Sequence, residues 1–191
     1  MNRTRGDEQR EKLRQQFWPS EDAWTGENEK GWFYAPRTLP LILGLIASKE
    51  LSGKCDPTRV YLELWSRHMS GGVIEMKHEG EHSYAAGYFG NRGIHTWQER
   101  MKILEKNGFI KTRHIGNERY KYVLLVHPTA AVQKLRDAGK GSVSGQWWDT
   151  YCARQIETKE PTYEERKKAK AASKVVTIKT PKVSQKKANA S

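Results

Sequence analysis

One stretch, TWQERMKILEKNGFIKTRHIGNERYKYVLLV at residues 96–126, decides the fold. Its first part repeats apolar residues at intervals of four and three, the spacing of one helical face: Trp97, Met101 and Leu104. Thr96 and Glu99 form the Thr-x-x-Glu pattern of a capping box, which predicts that the helix begins at Thr96. The pair at residues 107–108, Asn-Gly, predicts the end of this helix, because both residue types favour the turn that closes a helix.

The second half of the same stretch predicts a β-hairpin. Residues 109–114 and 119–126 carry the aromatic and β-branched side chains that are typical of strands. Between them, Ile115, Gly116, Asn117 and Glu118 have the composition of a short hairpin connection. An amphipathic helix is therefore followed at once by a hairpin.

Upstream of this stretch the sequence predicts more helices and one strand. Thr38 is expected to cap a helix that takes Pro40 in its first turn and runs to about Leu51. The Asp-Pro pair at residues 56–57 is a strong start signal for a second helix, over residues 57–69. A short strand at residues 73–76, a helix at 79–88 and a turn at 89–93 complete the order before Thr96.

The order of these elements over residues 56–128 resembles the winged helix-turn-helix domain. Residues 97–110 look like the junction between the recognition helix and the wing of that superfamily. The segment is also similar to small winged-helix proteins of bacterial plasmids and integrated elements. The resemblance implies a mainly α, α+β fold, in which a winged helix-turn-helix domain carries extra N- and C-terminal helices and flexible tails.

The resemblance also implies that the helix from Thr96 to Lys106 enters the major groove of double-stranded DNA. Its polar residue types suit base or phosphate contacts, and Arg and Gln can each make paired hydrogen bonds to a base edge. On and beside this helix we expect DNA contacts from Arg92, His95, Thr96, Gln98, Glu99, Arg100 and Lys102. On the hairpin, which would be the wing, we expect contacts from Arg113, His114, Asn117, Arg119 and Lys121.

The sequence beyond the hairpin predicts two more helices, at residues 129–138 and 146–157. The second contains Trp147 and Trp148, which point to different faces because they are adjacent in the chain. We expect this helix to pack on the helix of residues 38–51; a homodimer contact is the alternative.

Charge is distributed unevenly along the 191 residues, whose formal net charge is +12. Residues 1–30 are polar and nearly neutral, and we interpret them as an N-terminal arm. Residues 31–157 are predicted to form the winged-helix domain with its flanking helices. Residues 158–191 carry ten Lys or Arg and three Asp or Glu and have few large apolar side chains, so a disordered basic tail is expected. Within it, residues 163–172 are expected to form at most a transient helix.

A competing motif lies at residues 78–82, where His-Glu-Gly-Glu-His matches the H-E-x-x-H pattern of zinc peptidases. In those enzymes both histidines lie on one helical face and the first Glu is the general base. Here His78 falls before the predicted start of a helix at Glu79, and Gly80 lies in the middle of the motif. We therefore expect no metal site, and a zinc peptidase that uses His78, Glu79 and His82 is kept as an alternative.

Other features favour a basic DNA-binding protein of the cytoplasm, associated with nucleoid or plasmid. No apolar run approaches the ~18 residues of a membrane span, and no apolar stretch follows the basic N-terminus as it does in secretory signals. Cys55 and Cys152 give no disulfide framework. We expect no enzymatic activity and no cofactor.

The predicted function is sequence-specific binding of double-stranded DNA, as a transcriptional regulator of a bacterial mobile element. One alternative is a plasmid replication or partition factor, which has the same recognition helix and wing. Another is an RNA-binding module, because a basic tail does not distinguish between polyanions.

Overall fold

The computed structural model describes residues 4–17, 19–20, 30–68, 70–139 and 143–178. The chain divides into two units, residues 1–32 and residues 33–191. The fold is α+β and mainly helical, with a small antiparallel sheet. The expected fold class is confirmed at this level.

The first unit contains helix α1, Arg5–Phe17, in which no side chain is buried. Its start is fixed by Thr4, whose hydroxyl donates to the Asp7 carboxylate over 2.7 Å and accepts from the Asp7 backbone N–H. Ion pairs from Arg10 to Asp7 and from Arg14 to Glu11 follow along its surface. Local capping and pairing of this kind stabilise a helix that has no apolar face.

The second unit begins with α2, Leu39–Ala47, and α3, Lys49–Ser52. A single helix was predicted here, but Ser48 adopts an extended conformation with ψ of 146° and separates the two. The predicted cap is also wrong, because the Thr38 side chain makes no capping bond. Instead the Thr38 hydroxyl donates to one oxygen of the Glu160 carboxylate over 2.7 Å, and its backbone N–H donates to the other over 2.9 Å.

The helix-and-strand order predicted from the sequence follows. The elements are α4 (Thr58–Arg67), β1 (Val73–Glu75), α5 (Glu79–Ala85), α6 (Gly93–Lys106), β2 (Ile110–Ile115) and β3 (Glu118–Leu125). The predicted start of α6 is wrong by one turn, because the helix begins at Gly93. Thr96 therefore lies inside the helix, where its N–H donates to the Arg92 carbonyl, and Thr96 and Glu99 form no capping box. The predicted end is confirmed, and Gly108 has φ of +78°.

The three strands form an antiparallel sheet in the order β1-β3-β2. The register between β2 and β3 shifts between Arg113 and Ile115. In a regular strand, residues three apart point to opposite faces. The shift allows Tyr120 and Val123 to be buried together, at 1% and 0% exposed. The strand that precedes α5 is thus bonded to the hairpin that follows α6.

The core of the second unit brings together side chains from helices and sheet. Its largest fully buried members include Trp97 of α6, Tyr61 of α4, Tyr120 of β3 and Phe109. Tyr61 meets Phe109 edge to face with ring centroids 5.5 Å apart, and Trp97 meets Tyr120 in the same way at 5.4 Å. Pairs of this geometry add to the free energy gained from burying the rings.

Three helices complete the described chain: α7 (Pro128–Asp137), α8 (Gly145–Thr158) and α9 (Tyr163–Ile178). Trp147 stacks on Tyr151 within α8, and the guanidinium of Arg136 in α7 lies 3.8 Å from the ring centre of Trp148. The Tyr151 hydroxyl contacts the Thr129 hydroxyl of α7 over 3.3 Å. The tryptophans of α8 therefore join it to α7 and to the core of its own chain.

The predicted disordered tail is corrected for residues 163–178, which are helical. Thr162 and Glu165 supply the reason, because the Thr162 N–H and hydroxyl both donate to the Glu165 carboxylate, over 2.7 and 2.9 Å. This is a true capping box, and it starts the helix without needing an apolar core. The rest of the predicted tail, residues 179–191, lies outside the described residues. In the described part of the chain, no helix combines the length and the apolar character that a membrane crossing requires.

Two glycines in helices should respond in opposite ways to replacement by alanine. A Cβ on Gly93 would lie 2.4 Å from the Tyr88 carbonyl oxygen, whereas a Cβ on Gly44 in α2 has no heavy atom within 4 Å. We expect Gly93→Ala to destabilise the protein by about 1–3 kcal/mol through overpacking. Gly44→Ala should stabilise it by about 0.5–1 kcal/mol. Urea unfolding of both variants checks this, and a Gly93→Ala variant as stable as the parent would contradict the close contact at the start of α6.

Candidate nucleic-acid interface

Helix α6 presents one face to the core and another to solvent. Trp97, Met101 and Leu104 are fully buried, which confirms the predicted inward face. Trp97 lies against Tyr120 of the hairpin and against His82 of α5, with ring centroids 5.4 and 6.1 Å apart. The helix is held on both sides, so its outer face is presented in a fixed orientation.

Part of the predicted contact set on α6 is exposed. Arg92, His95 and Lys102 are open to solvent along the outer face. Glu99 is partly exposed and accepts from the Arg100 guanidinium over 3.4 Å, with the His95 ring 4.0 Å away. Thr96 is half-buried. A cation, an imidazole and a carboxylate therefore share the exposed face of this helix.

Gln98 and Arg100 are turned into the protein. The Gln98 side-chain amide donates to the Glu79 carboxylate of α5 over 2.6 Å. The Arg100 side chain is 16% exposed; its guanidinium donates to the Thr96 carbonyl and lies 5.1 Å from the ring centre of Tyr88. The sequence predicted both as DNA contacts, Gln98 on the outer face and Arg100 on the flank, because spacing along a helix does not show the partners that neighbouring elements supply.

The hairpin lies beside the last turns of α6. A groove of about 620 Å³ between them is lined by Glu105, Thr112, Arg113, His114 and Arg119. The Thr112 hydroxyl donates to the Glu105 carboxylate and joins the hairpin to the helix. Arg113, His114 and Arg119 are exposed, and so is Asn117 in the turn. Four of the five predicted wing residues are thus available to a ligand.

Lys121, the fifth, is held within the protein. Its ammonium lies 3.2 Å from the Glu118 carboxylate and 3.6 Å from that of Glu75, and its side chain is 23% exposed. The hydrogen bond to Glu118 raises the pKa of Lys121 above its ordinary value. Lys121 therefore ties β1 to β3, a role that the sequence analysis missed.

Of the carboxylates on this surface, the sequence predicted only Glu99 as a DNA contact. Glu79, Glu99, Glu105 and Glu118 all lie on or beside α6 and the hairpin. Each accepts from a donor described above, so these carboxylates are engaged within the protein. Arg92 and Lys102 at α6 and Arg113 and Arg119 on the hairpin are exposed and form no salt bridge among the described residues. These four positions therefore favour contact with phosphate.

The H-E-x-x-H residues are not brought together as a metal site. Helix α5 begins at Glu79, so His78 lies outside it, as expected from the sequence. His82 is buried, and its Nδ1 lies 2.9 Å from a carboxylate oxygen of Glu63 in α4. Glu63 also accepts from Arg67 over 2.5 Å. Among the described residues no group of three or more His, Cys, Asp or Glu could hold a metal ion.

Comparisons with protein-family models, with curated proteins and with solved structures find no match for this chain. The arrangement of α6 and the hairpin is the observation that bears on function.

Two neighbouring positions of α6 should differ in their effect on stability. Gln98→Ala removes the bond to Glu79 and should cost about 1 kcal/mol of the free energy of unfolding. Lys102→Ala removes an exposed side chain and should change it by less than about 0.5 kcal/mol. Chemical denaturation measures both effects. Glu79→Ala and the double variant Gln98→Ala with Glu79→Ala complete a double-mutant cycle, which gives the coupling free energy between Gln98 and Glu79. Additive effects of Gln98→Ala and Glu79→Ala would contradict the contact.

Proposed function

We propose that this chain is a winged helix-turn-helix protein that binds double-stranded DNA sequence-specifically and regulates transcription in a bacterial mobile element. The observation that carries the proposal is the exposed outer face of α6 beside exposed side chains of the β2–β3 hairpin: the cations Arg113 and Arg119, and His114. The regulatory role and the mobile element come from the resemblance noted in the sequence.

The connections of the sheet support this assignment. β1 precedes α5 and pairs with β3, so the strand before the two helices is bonded to the hairpin after them. Lys121 and Glu75 add an ion pair across the same two strands. A hairpin held in this way lies at a fixed position beside α6, as a wing must in order to contact DNA together with a recognition helix.

The outer face of α6 supplies the groups for base recognition. A helix fits the major groove of B-DNA, where Lys can donate to guanine and a carboxylate can accept from cytosine. Lys102 and His95 are exposed for this purpose, and Glu99 is partly exposed. Gln98 takes part only if DNA replaces Glu79 as its partner. Lys102 is therefore the first candidate for base recognition.

The hairpin supplies phosphate contacts. Arg113 and Arg119 flank the turn, and neither forms a salt bridge with a carboxylate in the part of the chain that the structure describes. The guanidinium of Arg119 lies 5.4 Å from the ring centre of Tyr120, which limits its motion. Arg side chains presented from a hairpin can bond phosphate oxygens on the strand beside the occupied groove.

Genome-wide mapping of bound sites tests the proposed function directly, because it yields both a sequence motif and the regulated locus. We expect a discrete duplex motif, and Lys102→Ala should relax the preference at one base pair at a cost of about 1–3 kcal/mol. Competition between duplex DNA and RNA distinguishes the proposal from an RNA-binding module. Binding without any sequence preference, or stronger binding to RNA, would contradict it.

Salt dependence tests the wing separately. Replacing Arg113 and Arg119 by Gln should weaken binding to all duplexes and reduce the slope of log K against log salt by about 0.9 for each phosphate that the hairpin no longer neutralises. The control variant, Lys49→Gln with Lys54→Gln, makes the same change in charge at positions outside the α6–hairpin surface. If the salt slope of the wing variant is unchanged, or if the control variant changes it equally, the hairpin does not contact DNA.

A further inference from the structure

A second concave site lies at the base of the sheet, away from the hairpin turn. It is a cleft of about 560 Å³ bounded by the end of α4, the ends of β2 and β3 that are far from the turn, α7 and α9. Lys111 on its rim is five residues from Gly116 along β2, roughly 15 Å in an extended strand. The cleft is therefore separate from the candidate DNA interface.

Four cations line this cleft and come from three different elements. They are Lys111 of β2, Lys134 of α7, and Arg166 and Lys170 of α9. No Asp or Glu lines the cleft, and none of the four forms a salt bridge with a carboxylate among the described residues. Like charges gathered without counter-charges raise the local potential and attract anions.

His127 lies in the wall of the cleft and is influenced by the same positive charges. Its Nδ1 is buried and has no hydrogen-bond partner in the described residues. Burial is the main cause that lowers the pKa of His127 to about 4, and the nearby charges of Arg166 and Lys170 act in the same direction. The ring is therefore neutral at pH 7, and a buried polar atom without a partner lies in the wall of the cleft.

Apart from His68, the rest of the wall is formed by apolar side chains and by two glycines. Trp65, Leu124, Val126 and Ala130 line it, and Leu124 is 37% exposed. A volume of about 560 Å³ lies in the range of small-molecule sites, which combine apolar walls with a few polar groups.

We propose that this cleft binds a small phosphorylated ligand of the nucleotide class. Arg166, Lys170, Lys134 and Lys111 contact the phosphates, and the aromatic body lies against the wall that contains Trp65 and Leu124. The proposal does not depend on DNA binding at α6. It gives the chain a second ligand site at the end of the sheet opposite the wing.

Calorimetric titration of the full chain with ATP, inorganic pyrophosphate and adenosine tests this. We expect one ATP per chain, weaker binding of pyrophosphate and no measurable binding of adenosine. Arg166→Gln with Lys170→Gln should raise the ATP Kd by about tenfold or more. The matched control is Lys167→Gln with Lys168→Gln, which removes the same charge from exposed positions of the same helix outside the cleft and should change Kd by less than about twofold.

A second variant, with substitutions outside α9, distinguishes loss of ligand contacts from unfolding of α9. Lys111→Gln with Lys134→Gln leaves α9 unchanged and should weaken ATP binding to a similar extent. Ring signals of His127 should shift on addition of ATP, while those of His95 on α6 stay in place. No ATP binding, equal losses in cleft and control variants, or a shift at His95 alone would overturn the proposal. A loss of duplex affinity in the cleft variants without nucleotide binding would also overturn it, and would make the cleft part of a nucleic-acid surface.

Discussion

The position of the candidate interface depends on the burial of Trp97. This side chain leaves the inner face of α6, meets Tyr120 of β3 on one side and His82 of α5 on the other, and is fully buried. The side chain of Trp97 therefore joins α6 to both the hairpin and α5. His82 in turn lies beside Glu63, so that the contact extends into α4. An aromatic ring of this size anchors more apolar area than any other residue of α6.

The sequence was sufficient for the elements whose signals are local. The spacing of Trp97, Met101 and Leu104, the stop at residues 107–108 and the hairpin connection all depend on neighbours a few residues apart, and the structure confirms each of them. The start of α6 was misplaced because a Thr-x-x-Glu pattern was present where the backbone had already become helical at Gly93. The helix at residues 163–178 was predicted only as a transient element over residues 163–172, because overall composition does not show the effect of the local Thr162–Glu165 cap.

The candidate site was less predictable because its side chains have partners distant in sequence. Gln98, Arg100 and Lys121 all look available in a helical or strand pattern. Each contacts in the structure a group that only the fold brings near: Glu79, the ring of Tyr88, and Glu75. Arg113, His114 and Arg119 remain exposed, because a hairpin tip has few neighbours. The basic cleft was not predicted at all, since its four cations are spread over sixty residues of sequence.

The bond between Thr38 and Glu160 bears on the order in which the chain folds. It joins residues 122 positions apart, whereas α5, α6 and the hairpin make their contacts within a segment of about fifty residues. Closing a long loop costs more chain entropy than closing a short one, so the segment around α6 can form first. During synthesis from the N-terminus, the whole of that segment leaves the ribosome before Glu160 does. The surface proposed to bind DNA can therefore form before the contact between Thr38 and Glu160 does.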